Sequence, residues 1–352
     1  MTGILLTGAS GYIGGDLLHL LAKSHPEYRV RALIRDTAKG DVIKKKFSQV
    51  QIVDGGLDDT ELLAREAKDA DVVLHLAATG HLSSVKTIHQ ALLEKSTTQT
   101  PPYWIQISGA SALAAAELAD QTRSPGTGTD IVWNDLDGID AIRSIIKDHP
   151  SRAVDNYMLS VADETSHIKS AIVMPPIIYG RGRGPINQRS IQIPELAKAT
   201  LKLQRGLQVG SGQSRWGNVH IQDLSQLIVK LVENALEGRQ DKSVWGSNGI
   251  FLTSLRELSF GEISRRITSA AYDLDLLPNK SIDQLNKEQS NELLPHGAVL
   301  YGTNARSQAQ RAEKFLGWKA ENLDLEHEIP LVVAQEACGL GLMDKKGFTP
   351  RI

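Results

Sequence analysis

Three glycines at intervals of three, Gly8, Gly11 and Gly14, stand between a short apolar run, Ile4 to Leu6, and the start of an amphipathic pattern. The apolar run reads as a buried parallel strand. Beyond it Ile13, Leu17, Leu20 and Leu21 share one helical face, with Asp16, His19 and Lys23 off it. Strand, glycine turn and helix together make a phosphate site. Gly8 allows the tight turn, Gly11 lets the backbone approach a diphosphate, and Gly14 lets the helix sit close to the sheet. Free N–H groups of the first helical turn face the anion. The expected ligand is a dinucleotide, with Gly8, Ser10, Gly11, Tyr12, Ile13 and Gly14 around its diphosphate. A turn that merely uses glycine is the plainer alternative.

A dinucleotide also needs a residue for its ribose about twenty positions further on. That region is Ile34-Arg35-Asp36, at the end of a strand read from Tyr28 to Ile34. Arg35 is the kind of residue that accommodates a 2′-phosphate, with Lys39 to assist, so NADP(H) is preferred; Asp36 keeps NAD(H) open. His75 falls inside the run Asp71 to Ala78 and reads as a packed histidine. His81, just past that run, is a candidate for substrate contact, with a surface loop as the alternative.

Further strands are read at Val50 to Val53, Tyr103 to Ile107 and Ile168 to Met174. Helices are read at Glu61 to Lys68, Ser83 to Lys95, Asp137 to Lys147 and Ser151 to Asp163. Strands alternating with helices predict an α/β fold, a parallel sheet covered on both faces. Ligands in such sheets bind outside the carboxyl ends of the strands, where Gly8, Arg35, Ala77 and Ser108 all fall. Residues 120 to 135 are polar and rich in Gly, Thr, Ser and Pro, and read as an exposed insertion that covers the site.

At 352 residues the chain is long enough for a large core and two domains, and a formal net charge of −2 gives no electrostatic case for nucleic acid or an anionic membrane. No apolar run has the length of a membrane span, and no basic segment precedes the first strand, so a cytoplasmic protein is expected. Cys338 is the sole cysteine, which excludes an intrachain disulfide. The ten histidines show no zinc spacing, so no metal is expected. The partner is a small-molecule substrate, with a homodimer as the assembly left open.

Thr7-Gly8-x-x-Gly11-x-x-Gly14 resembles the short-chain dehydrogenase/reductase superfamily, its extended branch of epimerases and dehydratases in particular. Other stretches resemble the branch too. Asp54-Gly55-Gly56-Leu57-Asp58 is similar to a turn that touches adenine, with Leu57 as the contact. The strand ending in Ala77 and Ala78 is similar to the one under the cofactor ribose. Pro175-Pro176-Ile177-Ile178-Tyr179-Gly180 resembles the segment that passes the nicotinamide and opens the substrate region, which brings in Pro175 and Tyr179. Arg215-Trp216-Gly217-Asn218-Val219-His220 precedes Asp223 as in the family's Val-His-Val-x-Asp-Leu, where an arginine binds substrate phosphate. Arg215 is the candidate, about one place off the pattern. The resemblance implies a doubly wound Rossmann domain over residues 1–174, with 215–240 contributing, and a smaller substrate-binding region from 175–214 and 241–352.

Members of this superfamily move hydride with a Tyr-x-x-x-Lys pair and a serine or threonine. None of the seven tyrosines here has a lysine four residues on. The corresponding window, Asp148 to Val154, offers His149 as a substitute acid/base and Arg152 as a cation that is no base at neutral pH. Ser108 and Ser111 are the candidate hydroxyls, since the usual place between them is Ala110. The resulting expectation is an NAD(P)(H)-dependent oxidoreductase with an atypical active site, acting on a small organic carbonyl or alcohol. The competing readings are a non-redox isomerase or lyase, a nucleotide-sugar epimerase, and a non-catalytic regulator that senses NADP(H).

Overall fold

The computed structural model describes residues 3–95, 101–165 and 167–344. The first five strands are Gly3–Thr7 (β1), Arg29–Ile34 (β2), Gln51–Asp54 (β3), Val72–His75 (β4) and Tyr103–Ile107 (β5). With Lys169–Met174 and Ile250–Leu252 they form a seven-stranded sheet. Its order is Ile250–Leu252, Lys169–Met174, β5, β4, β1, β2, β3, and every neighbouring pair is parallel. This is the doubly wound α/β arrangement, and the order reverses at β1, where such folds bind ligands.

Period-two burial drives it. Leu5, Leu33, Val73 and Trp104 point to one face, under the helices Thr60–Lys68, Leu82–Lys95 and Ala153–Glu164. Ile4, Leu6, Val30, Leu74 and Ile105 point to the other, under the helix Tyr12–Ser24 (α1) and the helix Ile221–Leu236. Each such fully buried aliphatic side chain contributes about 1.5–3 kcal/mol.

The buried face of α1 is Leu17, Leu18 and Leu21, and Asp16 is buried with them rather than lying off that face. Asp16 accepts from Arg183 Nε at 2.9 Å, Arg183 Nη2 at 2.7 Å and Ser225 Oγ at 2.7 Å. Burial acts to raise its carboxyl, but these hydrogen bonds outweigh it and hold the group below the ordinary carboxylate range. The carboxylate thus ties α1 to the helix Ile221–Leu236 and to the loop after residue 180.

The edge strand Ile250–Leu252 comes from the part of the chain read as substrate region, so a division at residue 241 cuts across the sheet. Residues 120–135 do not cover the cavity described below. Gly126 N–H donates to Gly302 O at 2.7 Å, Trp133–Asn134 pairs with Ser307–Gln308, and buried Asp135 accepts the N–H groups of Leu252, Gln310 and Arg311. The insertion is stitched to the C-terminal region instead. Among the described residues no helix is long and apolar enough to cross a membrane.

Candidate functional site

A cavity of about 860 Å³ opens at the carboxyl ends of β1, β4 and β5, within the size range of ligand sites. Gly8, Gly11, Tyr12, Ile13 and Gly14 line one end. Ala77, Ala78 and His81 follow, then Ser108, Ser111 and Pro175. The far wall adds residues the sequence did not single out: Asn187, Ser190, Gln192, Trp216 and Leu300.

Backbone builds the glycine end. Gly8 has φ +84°, and a Cβ there would lie 2.8 Å from the backbone of Leu76 and Ala77, so only glycine fits. A Cβ on Gly14 would stand on the Gly8 carbonyl oxygen. Gly11 is the N-cap of α1 and no side chain caps the helix, so its first N–H groups open on the cavity. Ser10 is half-buried and lies outside the lining. Tyr12 donates from its hydroxyl to Gly180 O at 2.6 Å, which pins the loop beyond residue 180 across the start of α1.

A chain of hydrogen bonds locks this end. Thr7 Oγ1 accepts the N–H groups of Leu76 and Ala77 at 3.2 and 3.3 Å. That ends β4 at His75, short of the run to Ala78 read from sequence. Thr7 Oγ1 lies 2.8 Å from His75 Nδ1, His75 Nε2 lies 3.0 Å from Ser84 Oγ, and Ser84 Oγ donates to His81 O at 2.9 Å. Since Ser84 gives its proton to His81 O, the imidazole N–H is on Nε2 and Thr7 donates to Nδ1. His75 is therefore a neutral, fully buried histidine, and burial pushes its pKa down to about 4. His81 reaches Asp58 at 3.2 Å while lining the cavity.

At the ribose end Asp36 caps the helix Thr37–Lys46, accepting Lys39 N–H at 3.1 Å, a bond that holds its carboxyl below the ordinary range. Arg35 is exposed and forms no ion pair among the described residues. Gly56 packs beside it: a Cβ there would lie 3.9 Å from Arg35 Cβ. Leu57 packs on the core and stands outside the cavity lining, as does Arg35.

Opposite lies a polar cluster. Buried Ser108 Oγ donates to Asp155 Oδ1 at 2.6 Å. Arg152 Nε and Nη2 grip Asp155 Oδ2 at 2.8 and 2.7 Å. The same guanidinium donates to Ser111 Oγ at 3.3 Å and Ser108 Oγ at 3.4 Å. Ser108 spends its O–H on a hydrogen bond to the carboxylate, whereas Ser111 accepts from Arg152 and keeps its O–H for the cavity. Asp155 was missed from sequence. Its signal was a carboxylate at a core position of an apolar helix face, three and four residues before Met158 and Leu159.

Besides Ser10, Arg35 and Leu57, and Arg152 behind the serines, three further expected site residues stand outside the lining. His149 binds Ile145 O through Nδ1 at 2.6 Å, closing the end of the helix Ile139–Lys147 away from the cavity. Tyr179 is buried, donates to Leu323 O at 2.9 Å, and has its hydroxyl pushed up by burial, so it is no acid near neutrality. Arg215 opens on a separate polar cavity with Asp130, Arg265 and Arg306, and its neighbour Trp216 takes the place in the main one. Tyr157, the one tyrosine on the Ala153–Glu164 helix, lies 2.8 Å from His89 Nδ1.

Residues 2–98 match the NmrA-like family. Over 348 residues the chain is 34% identical to the oxidase ucsJ of an Acremonium species, covering 96% of this chain and 99% of that one. The protein belongs to the extended short-chain dehydrogenase/reductase family. Family members are NAD(P)-dependent oxidoreductases and their relatives, built on the sheet described above. Solved structures share the fold, two of them as follows. UDP-glucuronic acid 4-epimerase from Bacillus cereus, solved with UDP-glucuronic acid and NAD, superposes with a TM-score of 0.63 at 17% identity, over 95% of this chain and 99% of that one. DesIV, a dTDP-glucose 4,6-dehydratase from Streptomyces venezuelae solved with NAD and TYD bound, gives 0.65 at 15% identity, over 97% and 99%.

Proposed function

We propose that the protein is an NADP(H)-dependent oxidoreductase that interconverts a small organic carbonyl compound and its alcohol. One observation carries this reading: the uncapped glycine turn and the hydroxyls of Ser108 and Ser111, held from behind by Asp155 and Arg152, open on the same cavity. The glycine turn and the small side chains Ala77 and Ala78 suit a dinucleotide diphosphate and ribose. Arg35, with Asp36 engaged as a helix cap, favours the 2′-phosphate and hence NADP(H) over NAD(H). Residues 1–174 with 215–252 hold the cofactor in this reading, and the remainder shapes the substrate wall.

When bound, the nicotinamide supplies or accepts the hydride. The chain's own groups deal with the oxygen. Ser111 donates its hydrogen bond to it, and Arg152 behind Ser111 stabilises the negative charge that gathers there during reduction. Asp155 fixes the guanidinium and Ser108 fixes Asp155. The proton that completes the alcohol comes from water, because the wall from Ser108 to Ser111 carries no acid near neutrality.

The test is to mix purified protein with NADPH and a panel of ketones and aldehydes and follow nicotinamide absorbance. Saturable loss with at least one carbonyl is the expected result. NADPH binding with no consumption across the panel contradicts redox turnover.

A further inference from the structure

We infer that the substrate is a neutral, mainly apolar compound carrying an aromatic or comparably bulky hydrocarbon body, and is neither a nucleotide sugar nor a keto acid. This rests on the redox reading above for its carbonyl, but its evidence is separate: which side chains reach the cavity and where their charge goes.

The strand Arg215–His220 decides the first point. Successive side chains of a strand face opposite ways. With Trp216 on the cavity, Arg215 must turn from it, and its guanidinium sits 3.9 Å from Glu257 beside the second, polar cavity. The one-residue offset of this motif therefore replaces a phosphate-binding cation with an indole. Trp216 Nε1 donates to Thr303 O at 2.8 Å, so the indole offers the cavity no hydrogen bond.

Charge decides the second. Arg189 is the one Asp, Glu, Lys or Arg among the described lining residues. It is claimed by Glu195 at 2.5 Å and by Glu336 at 2.7 and 3.0 Å. With two carboxylates on its guanidinium, Arg189 has no free charge to offer a carboxylate or phosphate on the substrate. Besides the uncharged polar Asn187, Ser190 and Gln192, this wall is apolar: Pro176, Ile178, Ile191 and Leu300 join Trp216. Ile191 is 59% exposed at the lip, an aliphatic surface that the described residues leave uncovered.

The experiment is calorimetric titration of the full chain, saturated with NADP⁺, using three probes: benzylacetone, phenylpyruvate and UDP-glucose. Benzylacetone and phenylpyruvate share a phenyl ring and a ketone and differ in the carboxylate. Benzylacetone is expected to bind at least ~10-fold more tightly than phenylpyruvate, and UDP-glucose to give no saturable heat. The surface variant Ile191→Asp is expected to weaken benzylacetone roughly 10-fold with NADP⁺ affinity intact. Equal or tighter binding of phenylpyruvate or UDP-glucose overturns the inference, as does failure of all three to bind or an Ile191→Asp variant that binds benzylacetone normally. Benzylacetone binding without NADPH consumption overturns the redox reading and leaves this one standing.

Discussion

At the glycine turn the cavity is walled by backbone: carbonyls and amides of residues 8 to 14 and 76 to 78, with glycine wherever a Cβ would collide. At the opposite wall it is made by side chains, where Ser108 and Ser111 meet Arg152 and Asp155 across 41 to 47 residues of sequence. The first is specified by a few consecutive residues and a strand–helix turn. The second exists only once β5 and the helix Ala153–Glu164 have packed in one register. In the proposed reading the same fold holds a cofactor grip beside a chemical wall that is free to diverge, with serine and arginine where the superfamily has a tyrosine–lysine pair.

The sharpest way to break this contrast is Gly14→Val. The new side chain meets the Gly8 carbonyl, so at least ~100-fold loss of NADPH affinity and about 3 kcal/mol of stability are expected from strain at a special backbone position. Calorimetry and urea unfolding check both. A valine variant with normal NADPH affinity contradicts the idea that backbone builds this end.

Acid probes the same end through His75. The folded protein keeps it neutral down to about pH 4, while the unfolded chain takes up a proton near the usual imidazole pKa of about 6.5. The His75 contribution to stability is therefore full above that value, falls as pH drops towards 4, and changes no further below it. The expected loss between those limits is of order 3 kcal/mol, read as urea midpoints at a series of pH values. The variant His75→Gln should flatten the profile; an unchanged slope contradicts the assignment.

How much of this was legible in the sequence follows the same divide. The five N-terminal strands, the glycine turn and the neutral His75 can be read from runs of a few residues. β4 was read too long because nothing local says that Thr7, 69 residues earlier, takes the N–H of Leu76. The strand Ile250–Leu252 was overlooked because three apolar residues carry no period. Arg215 was misplaced by one position, and in a strand one position reverses the face. Asp16 and Asp155 look like solvated charges until their arginines, Arg183 and Arg152, are brought to them by the fold.

Two smaller effects sharpen the contrast from the side-chain end. Ser111→Ala removes the free hydroxyl beside Arg152 and should lower kcat by about 10²-fold, the usual cost of one oxyanion donor, with NADPH affinity unchanged. Steady-state kinetics with parallel NADPH titration read the split, and a change in KM alone contradicts the assigned role. Arg35→Ala should weaken NADPH about 10-fold and leave NADH unaffected, as for one exposed charge-assisted contact. Equal weakening of both nucleotides contradicts the 2′-phosphate assignment.

Titration calorimetry of the unaltered protein with NADPH reaches the centre of the account. It predicts saturable one-to-one binding, tighter than for NADH under the same buffer. No heat from either nucleotide at millimolar concentration contradicts it.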